Sequence, residues 1–329
     1  MRQVFFMCMT TLLLLSQSCE SDADQGEQES RQDLLKDRFE QLKKQGDIKG
    51  VLDPFELIEN PAYSPVHEVD YIRDEELVFL TRACGYVQVF PYRSMHVEVV
   101  NEVAHGVHMA VTFCPITRSG LGLDRIVGED TLLLTASGYL YRENLMPLDV
   151  HTGSIWSQML FTGFSGKHER EQMRTFSLIE TTWATVKQYF PGAGVYVNKS
   201  LTKSAQGLPV GQEMGIVGND EVELFTLDMF QGEIKLLQSV VSPGGRVLVA
   251  GSQTNSDMVP FFTYYKMQAV EGEFPVIMKD DTGTRWNVFG EAVSGERGGE
   301  KLQSPVFFSA ADWAWRDLYE SVSYFGGQD

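Results

Sequence analysis

Two stretches of this chain carry the same punctuation at the same interval, and that interval constrains the fold more than any other feature. Asp149-Val150-His151-Thr152-Gly153-Ser154-Ile155-Trp156 is echoed by Asp280-Asp281-Thr282-Gly283-Thr284-Arg285-Trp286. A Ser-Gly pair follows each, Ser165-Gly166 and Ser294-Gly295, and a tryptophan in a helical pattern comes next, Trp183 and Trp313. Trp156 to Trp183 and Trp286 to Trp313 both span 27 residues. Upstream, Val87-Gln88-Val89-Phe90 pairs loosely with Val222-Glu223-Leu224-Phe225, and Met109-Ala110-Val111 with Val247-Leu248-Val249. A duplicated unit is expected, at about 70–198 and 210–325, packed about a pseudo-twofold axis as one domain over 70–325. In each copy the Thr-Gly pair makes a turn, with glycine supplying positive φ and aspartate capping the approach. The tryptophan after the turn is large enough to anchor a core. The repeated residues therefore read as architecture.

Within each unit the pattern is mostly strand. Leu77–Leu80, Val87–Phe90, Met109–Phe113 and Leu132–Thr135 are short, β-rich and bounded by turn residues. Helical periodicity is confined to Thr181–Tyr189, stopped by Pro191-Gly192, and Ala310–Val322. The fold class expected is α+β, predominantly β, with two duplicated β-rich units each closed by a short helix.

The N-terminus reads as an address. Arg2 precedes an apolar run from Val4 to Leu15, a signal-peptide pattern too short to span a bilayer as a helix. Ser16-Gln17-Ser18-Cys19 then resembles a relaxed lipoprotein cleavage box, with Leu15 one place early. An ordinary signal peptide cleaved nearby is the alternative. Residues 1–18 are expected to be removed and Cys19 acylated, which buries enough methylenes to anchor the chain. Residues 19–48 form the tether: an acidic stretch unable to bury surface, then an amphipathic helix at Arg31–Gln45 bearing Leu35, Phe39 and Leu42 and stopped by Gly46. Its apolar stripe is expected to dock on the main domain. The location implied is extracytoplasmic, on a bacterial cell envelope and at its outer membrane.

The formal net charge of −18 excludes nucleic acid and anionic lipid surfaces as partners, since both need clustered Lys and Arg. Cys8 leaves with the signal and Cys19 is lipidated, so Cys84 and Cys114 remain. One disulfide between them fits an oxidising compartment. Two buried free thiols fit equally well.

Several motifs in order resemble the DUF3179 family, a domain of unknown function. Val111-Thr112-Phe113-Cys114-Pro115 is similar to its Val-Thr-Tyr-Cys-Pro hallmark. Ser137-Gly138-Tyr139-Leu140-Tyr141, Asn144, Asp149, Thr152 and Ser154-Ile155-Trp156-Ser157-Gln158 come next in the family order, and Thr181-Thr182-Trp183 matches its helix start. Phe90-Pro91 and Glu98-Val99-Val100-Asn101-Glu102 resemble two further elements. The resemblance covers about 70–200 well and the second half faintly, and implies no known activity. Three departures matter. The family pattern Cys-Pro-x-Cys ends here in Thr117. Val97 replaces a histidine, with His96 beside it. Val150 stands where an arginine is usual.

His96, His105, His108 and Cys114 are the one sequence-local set with ligand chemistry, suited to copper or zinc. Their spacing fits no established metal signature, and His105-Gly106-Val107-His108 reads as a hairpin turn. No nucleophile elbow, phosphate loop or dinucleotide fingerprint occurs. Two functions remain open. One is a surface-tethered ectodomain that binds a small ligand or an envelope protein, with no resident cofactor. The other is a thiol- or metal-dependent redox protein or enzyme using Cys114 with nearby histidines.

Overall fold

The computed structural model describes residues 38–83, 85–95, 99–104, 106–198, 213–219, 221–239 and 246–327. The signal and acidic tether lie outside them. A helix at 38–45, α1, opens the described chain and ends at Gly46, whose φ is 84°. Phe39 and Leu42 on this helix pack against Ile48, Met146 and Leu148, so its stripe does dock on the main domain.

Beyond α1, apolar runs of β-branched and aromatic residues become strands through most of the chain, because such side chains pack well on a pleated surface. In the first half the hairpin β1 (Leu77–Ala83) and β2 (Tyr86–Pro91) leads to a meander, β3 (Val99–Ala104), β4 (Val107–Cys114) and β5 (Ser119–Asp124). A second meander comprises β6 (Leu134–Tyr141), β7 (Asn144–Asp149), β8 (Ile155–Ser157) and β9 (Thr162–Ser165). Then come β10 (Ile179–Thr182), helix α2 (Trp183–Tyr189) and β11 (Gly194–Tyr196). Strand β10 pairs antiparallel with β1, and β11 runs parallel to β2.

The second half runs through the same succession. Its hairpin is β12 (Glu213–Val217) and β13 (Val222–Phe225), and its first meander is β14 (Lys235–Gln238), β15 (Val247–Ser252) and β16 (Asp257–Phe262). Its second meander is β17 (Gln268–Ala269), β18 (Val276–Lys279), β19 (Arg285–Asn287) and β20 (Ala292–Ser294). It closes with β21 (Phe307–Ala310), α3 (Asp312–Leu318) and β22 (Val322–Tyr324). The orders of four strands match as well, β10-β1-β2-β11 against β21-β12-β13-β22, the first sheet being extended beyond β11 by Tyr63–Pro65. Register agrees residue by residue. Ile179 faces Leu80, Leu80 faces Val89, and Val89 lies beside Val195. Phe308, Gly215, Leu224 and Tyr324 make the same chain of pairings.

The halves are interleaved. One core joins Val78, Leu80, Ile179 and Trp183 of the first half to Val247, Val249, Phe261 and Trp286 of the second. A second joins Ala110, Leu121 and Trp156 of the first to Leu224, Phe308 and Trp315 of the second, and two smaller clusters lie within the first half. Each helix-bearing sheet thus packs on the meanders of the opposite half. The hairpin tips dock reciprocally. Thr181 Oγ1 donates to the Asn255 carbonyl at 2.5 Å, and the Ala311 amide donates to the Thr117 carbonyl at 2.9 Å. Trp156, Trp183, Trp286 and Trp315 are all fully buried. Each removes apolar surface that contributes at most roughly 4–6 kcal/mol.

Three expectations are corrected. Trp313 is 40 % exposed, and the core aromatic of α3 is Trp315, whose ring occupies the space above Gly215. The matched 27-residue interval misleads because Trp286 pairs with Ala292 where Trp156 pairs with Gly163, so the second turn is one residue shorter. Asp312 therefore stands at the place of Trp183. Leu132 and Leu133 precede β6 rather than forming it. The second helix stops at Leu318, and Val322 enters β22.

Candidate functional site

The two halves enclose a cleft of about 880 Å³. It opens where the halves differ. In the second half the pairing of β12 with β21 extends through the Val217 amide, which donates to the Val306 carbonyl at 2.9 Å. In the first half the pairing of β1 with β10 stops at Leu80 and Ile179. Beyond that point Thr81–Ala83 and Thr175–Ser177 both line the cleft. Segments 172–177 and 301–306 run along it in equivalent positions. Met173 and Leu302 donate to the carbonyls of Phe161 and Gly290 at 2.9 and 2.8 Å. The carbonyls of Arg174 and Gln303 accept from Asp124 and Phe262, each at 2.8 Å.

The cleft mixes apolar and polar surface and carries a cationic element. Val259, Phe261, Val288 and Phe289 line it from the second half, and Arg82, Arg174 and Lys301 are its charged residues; no carboxylate belongs to the described lining. Arg82 projects from β1 across the junction. Its Nη1 lies 2.7 Å from Glu291 Oε2, and its guanidinium carbon sits 5.5 Å from the Phe289 ring centre. Its Nε is buried and has no acceptor among the described residues. Glu291 also accepts from Asn287 at 3.1 Å and faces Lys301 Nζ at 3.9 Å. Arg174 pairs with Asp124 at 2.6 Å.

A second constellation lies deeper. Thr112, Thr117, Ser119, Asn144 and Gln158 are each wholly buried. Asn144 Nδ2 donates to Gln158 Oε1 at 2.8 Å and lies 3.0 Å from Thr117 Oγ1. Ser119 Oγ donates to Gln158 Oε1 at 2.8 Å, and Gln158 Nε2 donates to Thr112 Oγ1 at 2.9 Å. The Met159 amide donates to Asn144 Oδ1 at 3.1 Å. These neutral groups satisfy one another, which is how polar side chains survive in a core. Tyr319, beyond α3, closes over them by donating to the Met159 carbonyl at 2.6 Å.

Residues 53–212 match the model of a protein family of unknown function. That family is DUF3179. No curated protein and no solved structure matches the chain. The DUF3179 match ends before β12, so the second half carries the same strand order outside it.

The buried network gathers residues from separate DUF3179 motifs: Thr112 and Thr117 from the cysteine hallmark, Asn144 from the β6–β7 turn, and Gln158 from the end of the Ser-Ile-Trp-Ser-Gln run. Thr117, at the place of the missing second cysteine, is one of its hydrogen-bonding members. In the second half Ala250, Ser252 and Asp257 occupy the register places of Thr112, Cys114 and Ser119. Asp257 is the unbalanced one. Burial pushes its carboxyl up to about 7, against backbone amides that favour the anion, and its Oδ2 has no described partner.

The repeated turns are structural. Gly153 and Gly283 have φ of 72° and 83°. Asp149 accepts from the Thr152 amide at 3.1 Å and from its hydroxyl at 2.5 Å. Asp280 accepts from the Thr282 amide and hydroxyl at 2.9 and 2.7 Å, and from Arg297 Nε at 3.1 Å. Burial raises the Asp280 carboxyl, but the Thr282 hydroxyl and amide, the Thr284 amide and the Trp286 indole outweigh it and hold the group below the usual range.

Of the residues of the predicted thiol and metal sites, Cys114 and His108 are described. Cys114 is a free, buried thiol, its Sγ 3.7 Å from the Glu143 carbonyl. Cys84, the other member of the expected bridge, lies outside the described residues. His108 and Cys114 lie on the same strand, β4, about 20 Å apart at ~3.3 Å per residue, too far to share an ion. His96 and His105 lie outside the described residues. Among the described residues no group of three or more His, Cys, Asp or Glu is placed to hold a metal ion. Sequence reading missed Arg82, Glu291 and Lys301, which belong to no local motif.

Proposed function

We propose that this chain is a cell-envelope lipoprotein whose ectodomain binds a small ligand in the cleft between its two halves. The observation that carries the reading is the cleft itself: of mixed apolar and polar surface, lined from both halves, with cations and no carboxylate in its described lining on a chain of formal net charge −18. Pockets of several hundred Å³ with a few convergent polar groups are the usual setting for small-molecule recognition. The signal pattern ending at Cys19 and the acidic segment after it support a lipid tether on the extracytoplasmic side. Equivalent strand order and register in the halves support descent from one duplicated unit. After duplication only the first half opened its sheet, which created a single asymmetric site.

Native mass spectrometry tests this. The ectodomain beginning after Cys19, purified without metal affinity, is expected to carry a small-molecule adduct. Ser304→Trp, which fills the cleft from a half-buried lining position, is expected to lose it. The full-length protein extracted in detergent should show an acylated N-terminus at Cys19. A bare mass for the parent ectodomain, or an adduct that persists in Ser304→Trp, would count against the cleft. An unacylated N-terminus would count against the tether.

A further inference from the structure

We infer that the cleft takes an amphiphilic monoanion, with an anionic head on Arg82 and Lys301 and an apolar chain or ring against the exposed apolar lining from both halves; this rests on the cleft being the binding site. Charge accounting points to one negative charge. Arg174 is matched by Asp124. Glu291 alone serves both Arg82 and Lys301, at 2.7 and 3.9 Å, so this cluster keeps one positive charge. Geometry points to Arg82 as the head's anchor. Glu291 engages Nη1, which leaves Nη2 for a ligand, and hydrogen bonds between a guanidinium and a carboxylate are among the strongest and most directional available.

The rest of the lining sets the body of the ligand. Val107, Phe161, Phe176, Pro305 and Val306, none of them buried, supply apolar and aromatic surface, with the Phe289 ring behind them. A bare anion would leave that surface wet. A neutral apolar molecule would leave the residual positive charge unanswered. A polyphosphate is disfavoured because one residual positive charge cannot balance it. Two sources share the favoured chemistry, fatty carboxylates and aromatic carboxylates.

The test is calorimetric titration of the ectodomain with decanoate, 3-phenylpropanoate, decanol and acetate. At least one of the first two should bind at least about tenfold more tightly than decanol or acetate, and which one binds identifies the source. Arg82→Gln and, independently, Lys301→Gln should weaken that binding, Arg82→Gln by about tenfold or more, with unchanged melting temperatures. Ser304→Trp should abolish it. Equal binding of decanol would overturn the anionic head while leaving a cleft-binding protein. Binding unaffected by both charge variants would overturn the Arg82–Lys301 assignment. Binding that survives Ser304→Trp would overturn the inference and the cleft together. Absence of binding by every probe would overturn the ligand class, and a Ser304→Trp-sensitive adduct in the native spectrum would then show that the cleft reading survives.

Discussion

Asp257 and Ser119 occupy the same place in the two halves, and the exchange of a hydroxyl for a carboxyl changes how the fold responds to pH. Asp257 is buried with one oxygen unpartnered among the described residues, and burial lifts its carboxyl to about 7. Glu180 on β10 is lifted to about 7 by burial as well, although the Tyr92 hydroxyl donates to it and favours the anion. Both folded-state values exceed those of an unfolded chain, near 4. The folded protein therefore holds protons that the unfolded chain has released between about pH 4 and 7. That stabilisation is fully present below this window and is lost as pH rises through it, at up to about 1.4 kcal/mol per pH unit for each group. Asp257→Ser installs the residue of the equivalent position. The parent melting temperature should fall from pH 5 to pH 8, and the variant's should fall less. Identical falls would show that Asp257 does not hold its proton in the folded state.

At the scale of elements, α2 and α3 show how one topology tolerates different packing. Thr182 caps α2 by accepting from the Thr185 amide, and Trp183 in its first turn enters the core. Ala311 offers α3 no side-chain cap. There the anchor moves to Trp315, stacked on Phe308 with ring centres 4.3 Å apart and its indole nitrogen donating to the Glu213 carbonyl at 3.2 Å. Gly215 in β12 makes room, since a Cβ there would lie 2.6 Å from the indole ring. Trp315→Ala should cost about 3–5 kcal/mol in urea unfolding, the range for truncating a buried aromatic. Trp313→Ala should stay within about 0.5 kcal/mol, as exposed positions do. Comparable losses at both sites would overturn this account of α3.

For the whole molecule the consequence of interleaving is mutual dependence. The first half alone would leave Val78, Leu80 and Trp183 without Val247, Val249 and Trp286. It would equally leave Trp156 and Ala110 without Phe308 and Trp315. The DUF3179 match covers residues 53–212, a boundary that cuts through both shared cores. A chain ending near residue 205 should show no cooperative unfolding as a monomer. Co-expressed with the remainder, it should form a one-to-one complex that melts cooperatively. A monomeric fragment with a sharp thermal transition would contradict the shared cores.

Periodicity and turn chemistry are local, and they are what the sequence by itself determined here. Strands such as Val87–Phe90 and Met109–Phe113, the φ-positive glycines at 153 and 283 and the capping aspartates beside them are specified within a dozen residues. So is the buried stripe of α1. The family hallmark was legible because its residues sit in order along the chain, although their convergence into one buried hydrogen-bonded network was not. The tertiary structure alone decided the rest. It set which half packs on which, because apolar strands of equal quality occur in both. It replaced Trp313 with Trp315, because a turn shortened by one residue shifts every position after it. It separated His108 from Cys114, because neighbours in sequence are far apart along an extended strand. And it brought Arg82, Glu291 and Lys301 together from distant segments, because a cleft between halves belongs to no single stretch of chain.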